Sequence, residues 1–262
     1  TGEDGVTGRN LTQAKAFSVA REAATAAGKV LLEYQRKGFK VHKKGLINLV
    51  TEVDLKAESV ILERIRRDFP DHQFLSEEQG SMNGDADHRW IIDPLDGTTN
   101  YAHAYPVFCV SIGLEVAGQI RLGIVYNPVS REMFWAERGK GAYLNGDRIR
   151  VSDRDSLIES LLCTGFSYDR EETRTNLELF DRFTMVSQAV RRDGSAALDL
   201  CYVACGRFDG FWELSLNPWD VAAGKLIIEE AGGCVTGFAG SPCTIYDREI
   251  LASNGRIHTA MV

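Results

Sequence analysis

Between residues 73 and 143 the chain breaks into short β-type runs, QFLSEE, RWIID, VFCVSIGLEV, RLGIVYN, EMFWAE and GAYLN, parted by Gly, Pro, Asn and Asp. Runs of this length bounded by turn-forming residues predict a mainly antiparallel sheet. Ahead of them, apolar residues recur at helical spacing over residues 11–34 (Ala14, Phe17, Ala20, Ala24, Ala27, Val30, Leu31), with Thr12 as a candidate cap. A second helical segment covers residues 54–69 and is terminated by Pro70 and Asp71. The basic stretch between them, KGFKVHKKGLINLV, reads as a mobile loop or hairpin. Beyond residue 143 the pattern alternates: a strand near SLLCTGF, helices around 174–188 and 195–206, a strand at DGFWEL, a helix over 219–231 and a strand at REILASN. Helices and strands mix too finely for an independent second domain, so a single unit of alternating layers is expected over residues 11–262, after a flexible polar tail at 1–10.

Composition narrows the function. A net charge of −7 argues against a nucleic-acid binder that works by neutralising phosphates; an acidic chain binds phosphate only with a metal ion to supply positive charge. No apolar run approaches a membrane span and the N-terminus lacks a signal-peptide layout, which predicts a soluble, cytoplasmic protein. Six scattered cysteines without paired spacing read as reduced, structural thiols. Cys201 and Cys205 share a helix face, yet no further Cys or His stands nearby to complete a zinc site. The five histidines likewise lack metal-ligand spacing and are expected at the surface or in packing roles.

The chemistry concentrates in WIIDPLDGTTN, residues 90–100. An apolar strand ends at Asp93, turns at Pro94 and presents Asp96, while Gly97 lets backbone come close to a ligand. If Gly97, Thr98 and Thr99 open a helical turn, their N–H groups point at an anion. A bare acidic pair in a turn is often a solvated cap, but other carboxylates stand at matching places: Glu77 and Glu78 after the run QFL, and Asp220 at the start of an apolar helix. Glu78 is expected on the opposite face from Glu77 if its strand continues. Such an oxygen-rich set suits Mg²⁺ better than a site of histidines or thiolates would. Trp90 and Trp219 read as packing residues.

The motif DPLDGTTN at 93–100, the upstream Glu77-Glu78 pair, the downstream WDVAAG at 219–224, LVTEVD at 49–54 and GSAALDL at 194–200 together resemble the signature set of the inositol monophosphatase family, in matching order over roughly residues 11–255. The Gly-Ser-Ala-Ala and Asn-Pro-Trp-Asp versions look like those of bacterial members. The resemblance implies an α+β fold, a layered α/β/α/β/α sandwich of the sugar phosphatase type with mainly antiparallel and mixed sheets. It implies two or three Mg²⁺ ions: Glu77, Asp93 and the Leu95 carbonyl hold one, Asp93, Asp96 and Asp220 a second, and Glu77 helps hold a third through waters. Asp54 and Thr98 would orient and deprotonate the attacking water. Around the polyol the family pattern places Asp96, Gly194, Ser195, Ala196 and Glu213, with Gly97 and Thr98 N–H groups on the phosphate. Lys43 or Lys44 is a candidate cover for metals and phosphate.

Direct in-line attack is implied rather than a phosphoenzyme, because Leu95 stands where an aspartyl-phosphate enzyme would carry a second Asp. The expected activity is hydrolysis of myo-inositol monophosphates. The alternatives are fructose-1,6-bisphosphatase or another sugar or polyol phosphatase, histidinol phosphate included, and a regulatory binding protein that keeps the fold and contacts transcription machinery. The resemblance also implies a homodimer and lithium sensitivity, with no membrane partner and no direct nucleic-acid binding.

Overall fold

The structure is a computed structural model that describes residues 3–43, 49–167 and 169–262, without the side chains of residues 3–13, 42, 43, 49 and 50. The chain opens with α1 (Glu3–Lys37), longer at both ends than the apolar spacing marks. Next come β1 (Val41–Lys43) and β2 (Leu49–Thr51), paired antiparallel, so the described ends of the basic stretch are strands. The Lys43 side chain and all of Lys44 lie outside the described residues. Helix α2 (Glu52–Asp68) begins at a capping box: Val53 N–H donates to the Thr51 hydroxyl and Thr51 N–H donates to the Asp54 carboxylate.

The predicted sheet follows as β3 (His72–Ser76), β4 (Gly80–Met82), β5 (Asp85–Asp96), the short helix α3 (Thr98–Ala102), β6 (Cys109–Val116), β7 (Gln119–Asn127), β8 (Glu132–Glu137), β9 (Gly141–Leu144) and β10 (Asp147–Ile149). Its strand order is β10-β9-β8-β7-β6-β5-β3-β4, antiparallel except for the parallel β3–β5 pair. The second half supplies β11 (Leu161–Thr164), α4 (Arg170–Val186), β12 (Ala189–Arg191), α5 (Ala196–Ala204), β13 (Gly210–Leu214), α6 (Pro218–Glu230), β14 (Cys234–Thr236), β15 (Glu249–Ser253) and α7 (His258–Met261). These give a mixed sheet of order β12-β11-β13-β15-β14.

Strand periodicity sorts the side chains into layers. From the central strands Ile91, Cys109 and Val125 enter one core, shared with α5, α6 and the second sheet, while Trp90, Ile92, Val110, Ile112 and Ile124 enter another, shared with α1 and α2. A third core packs α4 and α7 on the far side of the second sheet through Phe183, Trp212, Leu251 and Met261. The layers therefore run α1/α2, first sheet, α5/α6, second sheet, α4: the α/β/α/β/α arrangement. Strand glycines set how close α6 comes, since a Cβ on Gly123 would stand 2.8 Å from the Ala223 carbonyl oxygen. Trp90 is fully buried in packing, as expected, with its indole N–H on His72. Among the described residues no helix is long and apolar enough to cross a membrane.

One local expectation fails. The run QFLSEE stops being a strand at Ser76, so Glu77 and Glu78 lie in a turn and strand alternation does not govern them.

Candidate active site

The bend in β5 explains how Asp93 and Asp96 serve one cleft. Three residues apart on a regular strand, they would face opposite sides. The pairing with β6 instead runs Asp93↔Ser111 and Asp96↔Cys109, three steps on β5 against two on β6. One extra residue, a β-bulge at Pro94-Leu95, turns Asp96 back to the side of Asp93. Proline suits the bulge because it has no N–H to leave unpaired, and the Leu95 N–H donates to Asp93 Oδ1 at 2.9 Å. The Leu95 side chain is fully buried in the core under α1 and α2. Its carbonyl oxygen accepts from the Thr98 hydroxyl at 3.1 Å.

Gly97 adopts φ 92°, and a Cβ there would meet the Val107 carbonyl oxygen at 2.9 Å, so position 97 requires glycine. As expected, Gly97 caps a helical turn, α3, which Thr98 begins. The Thr98 hydroxyl also lies 3.2 Å from Asp54 Oδ1. Asp54 is fully buried, and Thr51 holds its other oxygen by N–H at 2.8 Å and by hydroxyl at 2.5 Å. Burial raises the Asp54 pKa against the lowering effect of these hydrogen bonds. The same carboxylate thus closes the cap of α2 and meets Thr98.

Asp96 reaches across to the second half of the chain. Its Oδ2 accepts from the Ser195 hydroxyl at 2.6 Å and the Ala197 N–H at 2.8 Å, with the Cys109 thiol at 3.7 Å. The Ser195 hydroxyl, expected beside the polyol, is therefore committed to Asp96 and is almost fully buried. Gly194 (φ 88°) and Ala196 line the same cleft. Asn100 fastens this junction by donating to both the Val107 and Asp193 carbonyl oxygens at 2.7 Å.

Glu77 lines the cleft from its turn, and Asp220 lines it from the first turn of α6, where the Asn217 N–H donates to its Oδ2 at 2.7 Å. Glu213, near the end of β13, is 8% exposed. It sits where Gly165 leaves room: a Cβ on Gly165 would be 2.2 Å from the Glu213 carboxylate oxygens. The cleft has a volume of about 310 Å³ and contains Glu77, Asp93, Asp96, Glu213 and Asp220 in its lining. Burial first, then mutual repulsion, raises the pKa of Asp93 and Asp220 well above the ordinary range. Burial also raises that of Asp96, against its hydrogen bonds from Ser195 and Ala197. Glu213 is pushed up to about 8, by burial and then by Asp220 and Asp96.

Such crowding favours a positive partner. The donors are all hard oxygens, carboxylates and one carbonyl, which fits Mg²⁺ rather than a soft metal. Among the described residues, however, no group of three acidic, His or Cys side chains stands as a ready-made coordination shell. The fit therefore rests on donor chemistry and concentrated negative charge, not on a closed ligand geometry.

Gly165 and Arg192 stand outside every motif, and Asp199, though inside GSAALDL, has no role marked by it. Gly165 makes space for Glu213; Arg192 also lines the cleft, and its charge opposes the rise in the Glu213 and Asp199 pKa values. Asp199 is 1% exposed, and neither of its carboxylate oxygens has a hydrogen-bond partner. A charge inside the apolar segment ALDLCYVA is the signal that marks Asp199; nothing in the sequence marks Gly165.

Residues 12–262 match the model of the inositol monophosphatase family. The chain is 50% identical to the inositol-1-monophosphatase of Synechocystis over 92% of its own length and 85% of that protein. It is 41% identical to the Nus factor SuhB of Escherichia coli, with 94% of each chain covered. Among solved structures, inositol monophosphatase from Anabaena superimposes with a TM-score of 0.87 at 49% identity, covering 96% of this chain and 94% of that one. Matched in sequence over nearly its whole length and in fold by these proteins, the chain belongs to the inositol monophosphatase family.

Proposed function

We propose that this protein is an Mg²⁺-dependent phosphatase that hydrolyses myo-inositol monophosphates by direct in-line attack of water. The observation that carries this reading is the convergence of Glu77, Asp93, Asp96 and Asp220 on one cleft beside the Asp54–Thr98 pair. Glu77, Asp93 and the Leu95 carbonyl would hold one ion and Asp93, Asp96 and Asp220 another, with Glu77 helping to hold a third. Bound Mg²⁺ supplies positive charge against the phosphate and acidifies water.

The remaining steps belong to the chain. The Thr98 hydroxyl takes a proton from the attacking water as it passes its own to Asp54 Oδ1, 3.2 Å away. The raised Asp54 pKa makes that carboxylate the stronger base, and its bonds to Thr51 hold it in place. N–H groups of Gly97 and Thr98 bind the phosphate at the start of α3, where first-turn donors lack intrahelical acceptors. Gly194, Ser195, Ala196 and Asp96 shape the polyol end. Glu213, which lines the same cleft, is placed to hydrogen-bond a substrate hydroxyl.

The test is phosphate release from inositol 1-phosphate, fructose 1,6-bisphosphate and histidinol phosphate, each with Mg²⁺ and with excess chelator. Mg²⁺-dependent release led by inositol 1-phosphate is expected; a clear preference for the bisphosphate would overturn the substrate assignment. A second, regulatory reading is favoured by the identity with a protein named as a Nus factor. A macromolecular partner still captured by Asp93→Asn would support it. Homodimerisation, lithium inhibition and a cytoplasmic location complete the proposal, and sedimentation, a Li⁺ titration and cell fractionation test them.

A further inference from the structure

Glu58 lies one helical turn after Asp54 on α2, so both side chains leave the same face. It is fully buried. Its Oε1 accepts from the backbone N–H of Glu78 at 3.1 Å and of Gln79 at 3.3 Å, while Oε2 has no hydrogen-bond partner. The preceding N–H, that of Glu77, donates to the Ile92 carbonyl oxygen at 3.2 Å. Successive N–H groups of one turn are thus gripped from two sides: by the strand that carries Asp93 and by the helix that carries Asp54.

Packing alone does not account for a carboxylate here. The buried neighbours along α2 are Ala57, Ile61, Leu62 and Ile65, and an apolar side chain at 58 would join them without the desolvation cost of a charge. What a carboxylate adds is a strong acceptor for backbone N–H groups. We propose that Glu58 is a positioning residue, which locks the turn at residues 77–79 so that Glu77 meets the cleft in a fixed relation to Asp93, and thereby sets the affinity of the site for its cation. This rests on Glu77 being a cation ligand, as proposed above.

The experiment compares the wild type with Glu58→Ala, Glu58→Asp, Glu58→Gln and Glu77→Gln. Mg²⁺ binding to the full chain is measured by calorimetry, and the Mg²⁺ dependence of inositol 1-phosphate turnover alongside it. Residues that orient metal ligands contribute about 10–100-fold in affinity. Glu58→Ala, and Glu58→Asp, whose carboxylate falls a methylene short of the turn, are each expected to weaken Mg²⁺ binding by that factor. The half-saturating Mg²⁺ should rise equally, with kcat at saturating Mg²⁺ within about 3-fold of wild type. Glu58→Gln, whose amide oxygen still accepts both N–H groups, restores the wild-type Mg²⁺ dependence.

Unchanged Mg²⁺ affinity in the Ala and Asp variants, with Glu77→Gln weakened, overturns the proposal and leaves the ligand set standing. Loss of kcat at saturating Mg²⁺ without a change in Mg²⁺ affinity also overturns it, in favour of a purely structural role. Unchanged affinity in Glu77→Gln removes the ligand reading and the positioning role together. If Glu58→Ala lacks a cooperative thermal transition in chelator, Glu58→Asp decides.

Discussion

The two walls of the cleft are built differently. On the wall formed by β5, α3, α2 and the Glu77 turn, polar groups are held by hydrogen bonds: Asp93 by the Leu95 N–H, Thr98 by Asp54 and Leu95, and Asp54 by Thr51. The facing wall, from α5 and β13, holds Glu213 by packing over Gly165 and leaves both Asp199 oxygens without a partner. Unpaired buried oxygens are costly, on the order of 1–3 kcal/mol each. The first wall is thus held by directional bonds, whereas the second is held by packing and carries the cost of a buried, unpartnered carboxyl.

That contrast is open to direct attack, and the largest effect should come from Asp93→Asn on the first wall. Mg²⁺-dependent turnover is expected to disappear, while the melting temperature in chelator rises because a repelled, desolvated carboxylate is gone. Unfolding of the variant would instead sink the site assignment. Thr98→Ala comes next, with kcat lowered by about 10²–10⁴ because the path to Asp54 is cut. Near wild-type turnover would exclude Thr98 from proton handling.

On the second wall, Gly165→Ala must displace the Glu213 carboxylate, which lies 2.2 Å from the new Cβ. Loss of one substrate hydrogen bond, about 1.5 kcal/mol, predicts a roughly tenfold higher KM for inositol 1-phosphate. Hydrolysis of p-nitrophenyl phosphate, which has no polyol, should be unaffected; equal losses on both esters would erase the difference between the walls.

The second wall should also show in the pH dependence of stability. The Glu213 carboxyl keeps its proton up to about pH 8 when folded, against an ordinary value of 4.5. Between these values the folded chain binds the extra proton, so the stability it confers is complete below about 4.5 and is lost as pH rises to about 8. In chelator, Glu213→Gln should therefore remove up to about 1.4 kcal/mol per pH unit of downward slope across that window. Denaturant midpoints measured at several pH values check this, and an unchanged slope would mean that Glu213 is ionised in the fold.

The acidic pair of the first wall was legible before the fold because Asp93 and Asp96 lie in one short motif, whereas Asp54 and Thr98, 44 residues apart, were paired only through family resemblance. DPLDGTTN contains both the bulge and the carboxylates it turns, and LVTEVD contains a cap together with its partner. Glu213 was reached only through family resemblance, since a carboxylate near a strand end is ordinary. Glu77 lines the cleft from a turn rather than from a strand, because the ladder β3 forms with β4 and β5 ends at Ser76.

By itself, then, the sequence determined the antiparallel run of strands, the helices on either side and the acidic motif at 93–100, because apolar periodicity and turn chemistry act over a few residues. Tertiary structure alone decided that Asp96 would seize Ser195 and the N–H of Ala197, that Gly165 would lie under Glu213, and that Glu58 would hold the turn after Glu77. Each of these joins segments 20 to 101 residues apart. Such contacts depend on how whole layers stack and twist, which no local pattern of residues encodes.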